Sequence, residues 1–449
     1  MLRAFQHIVL CIALVCAFCR QSVAALNNAE EFYLDNGLQV VVIPNHKAPI
    51  IKQILLYKAG RIDEPQGKGG IAHFLEHLMF RGTQKFADGR FNELIENNGG
   101  QSNAATGHDY TYYYQFISLD RLELAMYLEA DRMTGLSFSE KAFAKEKNVV
   151  SQERMERLNM SPMSVFWENF ERLFWQDSPY GEPVSGTSAQ IEQITQQDIW
   201  TFYQKFYAPN NAILILSGDI DTKTAQDLAQ KYYGKIKSHT NSAMQNIQNI
   251  KSNKNHLGKY TLQTEREDIN ITRVVQRCLL PKYKEDDKNL YSMILLSEYL
   301  GGSVNSPLYQ KLKLQTHWVT SVGTDFDYLN RENGTFSFYA YPTETKNIYK
   351  IQSVFTSAIK TGIKNLTSKE LEKVKNRLLS GMIYSNDNPA ETAEIAVHWL
   401  GAGYSLQGLK DFERHIQSIT VEDIRKSAEY LTQCDFMTGI AMPHKGGQS

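Results

Sequence analysis

Residues Ile71 to Phe80 read I-A-H-F-L-E-H-L-M-F, and inside them His73, Glu76 and His77 form the pattern H-x-x-E-H. On an α-helix, residues four apart share a face and the residue three along lies beside them, so these three side chains converge on one point. Two neutral imidazoles can hold a zinc ion while an adjacent carboxylate takes a proton from the water bound to it. His73 and His77 are then metal ligands and Glu76 is the base, not a ligand. The competing reading is an amphipathic helix with two incidental histidines, and the rest of the chain has to decide between them.

At 449 residues the chain suits two or more domains of about 200 residues each. A hydrophobic content of 42% with 11% aromatics fits packed cores. Lys plus Arg number 48 and Asp plus Glu 49, so no global field favours nucleic acid or anionic lipid. Residues 1–25 read as a secretory signal peptide: Arg3 precedes the apolar run Ile8 to Phe18, and Ser22-Val23-Ala24-Ala25 offers small residues for cleavage. That run is too short to span a bilayer, so the mature chain is expected to be soluble, without stable membrane insertion, and exported, to a periplasm in a bacterium or secreted elsewhere. An organellar targeting segment would be amphipathic and Arg-rich, which this amino terminus is not. Cys11, Cys16 and Cys19 leave with the signal, and the remaining Cys278 and Cys434 are expected to be two buried thiols rather than a disulfide.

Taken in order, Glu31 to Leu34 and Leu38 to Ile43 flank Asp35-Asn36-Gly37, a hairpin signal. Pro49 to Tyr57 reads as a strand, and Gly69-Gly70 lead into the H-x-x-E-H helix. Phe91 to Asn97 reads as a helix, and Asn103 to Thr106 begins an extended segment running through Tyr110, Tyr112, Tyr114 and Phe116, with one aromatic face. Helices are predicted over Leu122 to Met133, Ser139 to Arg157 and Asp198 to Phe206, then a strand over Asn211 to Ser217. Glu146 and Glu153, seven residues apart, share a face of the second helix, which on its own reads as a solvated surface. The polar stretch 238–257 reads as a linker.

The second half echoes the first. Ile191-Glu-Gln-Ile-Thr-Gln-Gln-Asp198-Ile199 returns as Ile416-Gln-Ser-Ile-Thr-Val-Glu-Asp423-Ile424, an offset of 225 residues. Leu75-Glu76-His77-Leu78 pairs with Ser297-Glu298-Tyr299-Leu300, and Lys147-Asn148 with Lys375-Asn376. This puts Leu295 opposite His73, Tyr299 opposite His77 and Gly381 opposite Glu153. The predicted organisation is α+β: an N-terminal zinc-binding domain over 26–237 and a homologous non-catalytic domain over 258–449, each a mostly antiparallel sheet packed against helices.

With Gly70 to Thr83 (G-I-A-H-F-L-E-H-L-M-F-R-G-T), Asn103 to Thr106 (N-A-A-T), Glu146 to Glu153 (E-K-N-V-V-S-Q-E), Pro179-Tyr180-Gly181 and Ala208 to Asp219, the chain resembles the pitrilysin and mitochondrial processing peptidase family of inverted-motif zinc peptidases, in its single-half bacterial form. The resemblance runs from about Glu31 to about Pro443. It implies a third zinc ligand about seventy-five residues after the motif and a supporting Glu seven residues earlier; Glu153, 76 residues after His77, and Glu146 match. Glu156 is a competing ligand without a partner in the family pattern. The implied cofactor is one zinc ion per chain, and the implied activity is that of a metalloendopeptidase acting on short or unfolded peptides.

The same resemblance implies that substrate adds as a strand to a sheet edge matching Asn103, Ala104 and Thr106. Family members place an Arg and, seven residues on, a Tyr in the second domain to grip substrate; here those positions hold Lys313 and Thr320. Lys lacks the planar fork of Arg, and Thr reaches less far than Tyr. Members of this length form half of a clamshell, so a homodimer or a heterodimer with a related subunit is expected, the substitutions favouring the second. The competing class is a non-catalytic scaffold subunit of such a complex, which typically loses the motif kept here. His108 and Tyr110, after the edge strand, are expected to have packing or surface roles.

Overall fold

The computed structural model describes residues 26, 28–239, 260–385 and 388–444. The predicted signal peptide and all but the first two residues of the predicted linker lie outside the described residues. Strands β1 (Glu30–Tyr33) and β2 (Gln39–Pro44) form the expected hairpin. Gly37 in its turn has φ +83°, a conformation glycine adopts without a Cβ penalty. There follow β3 (Ile50–Tyr57), α1 (Ile71–Leu78), α2 (Arg90–Asn97), β4 (Gln101–Thr106), β5 (Thr111–Ser118), α3 (Leu122–Gly135), α4 (Glu140–Met160), α5 (Pro162–Trp175), α6 (Gln196–Phe206), β6 (Ala212–Gly218) and α7 (Thr222–Tyr233). They build a sheet of order β1-β2-β6-β3-β5-β4, parallel between β2 and β6 and antiparallel elsewhere.

The stretch from Asn103 to Phe116 is not the single extended segment its aromatic period predicts. The chain reverses after Thr106, and β5 pairs back on β4 with Thr106 opposite Thr111. A 2.8 Å bond from Gly107 N to Tyr110 O closes the turn. A period of two records which residues share a face, and a tight reversal leaves that alternation almost intact.

The second half contains β7 (Thr261–Arg266), β8 (Arg273–Leu280), α8 (Lys288–Gly301), a π-helical turn over Tyr309–Gln315, β9 (Val319–Asp327), β10 (Gly334–Pro342), α9 (Ile348–Thr361), α10 (Ser368–Ser385), α11 (Pro389–Gly401), α12 (Val421–Gln433) and β11 (Met437–Pro443). Its sheet order, β7-β11-β8-β10-β9, repeats that of the first sheet without β1, including the parallel pair at the same place. The duplicated sequence folds into duplicated detail. Thr195 caps α6 and Thr420 caps α12 through the same reciprocal box with Asp198 and Asp423. Lys147 Nζ donates to Glu192 O at 2.5 Å and Lys375 Nζ to Gln417 O at 2.9 Å, acceptors that the 225-residue offset pairs.

The halves exchange helices. One face of the first sheet, including Val40, Val42, Leu55 and Leu214, packs on α1, α3 and α6. Its other face, Val41, Ile43, Ile54, Leu56, Ile213 and Ile215, joins a core with Ala393, Ala396, Val397 and Leu400 of α11, from the second half. Burial on both faces is why β2 and β6 read as unbroken apolar runs, V-V-V-I and A-I-L-I-L, rather than as alternating strands. In return α5 lays Met163, Phe166, Phe170 and Phe174 against Val275, Met437 and Ala441 of the second sheet. Helix α5 follows α4 as α11 follows α10, so the two exchanged helices occupy equivalent places in the duplicate.

The aromatic face of β5 is spent on the same junction. Tyr112 donates to Glu394 Oε2 at 3.0 Å, Tyr110 OH meets His398 Nδ1 at 2.6 Å, and Lys52 pairs with Glu394. Cys278 is buried, Cys434 is half-buried, and neither is in a disulfide. No helix among the described residues is long and apolar enough to cross a membrane.

Candidate metal centre

Helix α1 starts at a tight crossing. Gly70 has φ +96°, and a Cβ there would lie 2.5 Å from Ser185 O. Glu64 then caps the helix from the preceding loop, accepting from Gly70 N at 2.8 Å and Ala72 N at 2.7 Å. A carboxylate at a helix amino terminus satisfies otherwise orphaned amides and meets the positive end of the dipole. Burial pushes its pKa up to about 8, against the pull of Arg61 and these amides.

Because Ile71, Phe74, Leu75 and Leu78 are buried in the first core, His73, Glu76 and His77 present together to the space beside α4. The imidazole centroids of His73 and His77 lie 4.8 Å apart. Glu153 reaches them from α4, its Oε2 3.7 Å from His73 Nε2 and 3.4 Å from His77 Nε2. One donor atom from each of the three residues falls within 4.8 Å of the others, the one such cluster among the described residues. Two imidazole nitrogens and a carboxylate oxygen are the donor set of a catalytic zinc site with an open position, so the residues present fit the ion. Glu156 is exposed and lies outside the cluster.

The surroundings tune and orient this set. Burial lowers the His73 pKa to about 4, with the His77 charge adding to it, so this imidazole is neutral and able to coordinate at pH 7. At His77 burial acts in the same sense, but the Glu146 carboxylate beside it and the charges of Glu76 and Glu153 outweigh burial and raise its pKa. Glu146, fully buried on the inner face of α4, has Oε2 3.4 Å from His77 Nδ1 and Oε1 2.9 Å from Arg81 Nη2. Arg157 holds the far oxygen of Glu153 at 2.7 Å. The Glu76 carboxyl, its pKa raised by burial, accepts a hydrogen bond from the Thr106 hydroxyl.

Thr106 ends β4, which pairs only with β5 and forms the open edge of the first sheet. Asn103 is exposed on that edge, and Ala104 is half-buried. Lys313 is not brought into this cluster: on the π-helical turn of the second half, it donates to Thr320 O, while the Thr320 hydroxyl bonds Tyr341 O at 3.3 Å. His108 bonds Glu182 O at 3.1 Å and lies tilted against the Tyr180 ring, a packing role like that of Tyr110 at the junction. The duplicate positions carry no metal chemistry: Leu295 is buried, Tyr299 donates to Gly362 O at 3.1 Å, and Gly381 has no carboxylate. Sequence reasoning missed Glu64, Arg81 and Arg157. Arg81, four residues after His77, was within reach of a helix-spacing argument; the other two needed the fold.

A duplicated α+β chain, each half a mostly antiparallel sheet with helices, built around an inverted His-x-x-Glu-His helix, is the half-clamshell class. The model of the insulinase family, peptidase family M16, matches residues 39–188, and that of the M16 inactive domain matches residues 193–378. The chain belongs to peptidase family M16. The inactive-domain match covers much of the half that lacks the ligands. The zinc protease PqqE of Helicobacter pylori is 28% identical over 417 residues, 92% of this chain and 93% of that protein. The probable mitochondrial-processing peptidase subunit beta of Schizosaccharomyces pombe is 30% identical over 217 residues, 48% of this chain and 47% of that one. Among solved structures, a protease from Helicobacter pylori matches with TM-score 0.81 and 26% identity, covering 93% of this chain and all of that one. The periplasmic protease PqqL from Escherichia coli matches in fold, with TM-score 0.76 and 18% identity over 92% of this chain and 47% of that longer one. Relatives named zinc proteases support a peptidase role and zinc as the metal.

Proposed function

We propose that this chain is an exported zinc metalloendopeptidase that hydrolyses peptide bonds in short or unfolded peptides. The observation that carries the reading is the convergence of His73, His77 and Glu153 beside Glu76, itself bonded to the last residue of an open edge strand. His73, His77 and Glu153 would hold one zinc ion, with Glu146 orienting His77. Zinc, when bound there, acidifies a water and polarises a carbonyl. Glu76 takes the proton of the attacking water and returns it to the leaving amine. Ala104 and Thr106 turn their main-chain groups to the side of β4 away from β5, and Asn103 stands exposed on the same strand, so a peptide adds along that edge as a further strand. Such recognition reads backbone and favours extended chains over folded proteins.

Lys313 and Thr320, engaged with their own half, support a paired assembly in which a second copy, or more simply a related subunit, supplies the substrate grip. The periplasm, or secretion outside bacteria, is the compartment consistent with the signal-like amino terminus and with the periplasmic structural neighbour.

The test is Glu76→Gln in the mature chain, alone and with any co-purifying subunit, against a quenched fluorescent peptide library. Cleavage is expected to vanish while zinc content stays at the wild-type level. Undiminished cleavage in Glu76→Gln would overturn the assignment of the base.

A further inference from the structure

The second half sends one side chain into the machinery of the first. Arg331 lies in the turn between β9 and β10, with its side chain 14% exposed; its two acidic partners, Asp63 and Asp109, are 3% and 4% exposed. Its Nη2 donates to Asp63 Oδ2 at 2.5 Å and its Nε to Asp109 Oδ1 at 3.3 Å. Its backbone N–H adds 3.2 Å and 3.3 Å contacts to Tyr180 OH and Asp109 Oδ2.

The two aspartates belong to different elements of the candidate site. Asp63 is in the loop that enters α1, next to the Glu64 that caps it, and accepts from Gly60 N at 2.9 Å. Asp109 is in the turn that leaves β4, three residues past Thr106. The loop and the turn also meet directly, Arg61 N to Gly107 O at 3.2 Å and Ile62 N to His108 O at 3.0 Å. Two buried carboxylates repel each other unless a cation sits between them, and a planar guanidinium can bond both at once whereas an ammonium is a single point. The turn that presents Arg331 is itself anchored: Lys282 Nζ donates to Asn330 O at 2.6 Å and Ala402 O at 3.1 Å, and lies 3.6 Å from the centre of the Tyr404 ring.

We propose that Arg331 is a positioning residue, which from the non-catalytic half fixes the substrate edge strand β4 against the metal-binding helix α1. The inference rests on the peptidase reading for its kinetic consequence, though not for its structural one. Metal content is expected to hold, because the ligands stand on α1 and α4 and bond one another, whereas the bonds of Arg331 run to Asp63 and Asp109. Substrate alignment does, since Thr106 and Glu76 meet where β4 and α1 touch.

The experiment compares wild type, Arg331→Met and Arg331→Lys as full mature chains, with any partner subunit present. It reads zinc content, kcat and KM per zinc-loaded molecule, and amide exchange over residues 101–110. For Arg331→Met the expected results are wild-type zinc content, kcat/KM lower by about 10- to 100-fold, as for a misplacement of order 1 Å, and faster exchange in that segment. Arg331→Lys should fall between, having the charge without the fork. Unchanged kcat/KM and unchanged exchange in a folded, zinc-loaded variant would overturn the proposal. If Arg331→Met does not fold, Asp109→Asn, which removes one side of the clamp and keeps the guanidinium, carries the same two readouts. A wild type that cleaves nothing would overturn the peptidase reading, and the exchange measurement would then judge Arg331 on its own.

Discussion

Truncating Phe170 to alanine tests the helix exchange directly. Phe170 lies on α5, which in sequence belongs to the first half, yet it is fully buried against the second sheet. Its ring lies 6.1 Å from those of Phe166 and Phe174, and the Arg277 guanidinium sits 5.3 Å from its centre. The floor beneath it is backbone: a Cβ added to Gly439 would come within 2.7 Å of the ring. Phe→Ala in a core costs about 3–5 kcal/mol, and least where neighbours can collapse into the cavity. A β-strand floor cannot, so the upper end of that range, about 4–5 kcal/mol, is expected. With a urea m-value of about 4 kcal/mol/M for a chain of this size, the midpoint should fall by about 1 M. The assay is urea unfolding followed by far-UV dichroism and, separately, by zinc release, which reports on the first half. If the halves share their cores as described, both midpoints drop together. A zinc-release midpoint within about 0.2 M of wild type, while dichroism shifts, would refute the shared core and leave two independent domains.

Two further predictions concern the metal. Glu153→Gln should lower zinc content by elemental analysis while Glu156→Gln leaves it unchanged, because only the first carboxylate lies among the imidazoles; the reverse pattern would exchange their roles. Chelation should lower the melting temperature, since a ligand that binds only the native state stabilises it by about 4 kcal/mol at 1,000 times its Kd; an unchanged melting curve after verified zinc removal would mean that the cluster does not hold the ion tightly.

Much of this architecture was legible because its signals are local. The H-x-x-E-H spacing fixes three side chains on one turn of helix whatever surrounds them, and Asn36-Gly37 closes its hairpin within a few residues. The duplication was legible because Thr195-x-x-Asp198 and Thr420-x-x-Asp423 preserve a cap whose chemistry demands those residue types. Glu153 came from a family resemblance, and the cluster geometry supports it. What stayed hidden depends on distance in sequence. Nothing near Arg331 announces that its partners are Asp63 and Asp109, and nothing in α5 tells that its phenylalanines belong to the other sheet. The reversal at Gly107 was missed because alternation survives a tight turn.

The exchange gives the second half a physical reason to persist without metal ligands. Strands β2, β3 and β6 expose two apolar faces, and α1, α3 and α6 cover one; stripped of α11, the other face would present Val41, Ile43, Ile54, Leu56, Ile213 and Ile215 to water. At about 1.5–3 kcal/mol for each large aliphatic side chain, that exposure would cost as much as the whole stability of a typical domain. Leu295, Tyr299 and Gly381 serve no metal chemistry, whereas Ala393, Ala396 and Val397 of α11 pack on a sheet they do not belong to. The Tyr112–Glu394 contact lies on β5, one strand in from the open edge β4, and the Tyr110–His398 contact lies in the turn that leads into it. The half without metal ligands thus braces one face of the strand pair whose outer edge is proposed to receive the peptide.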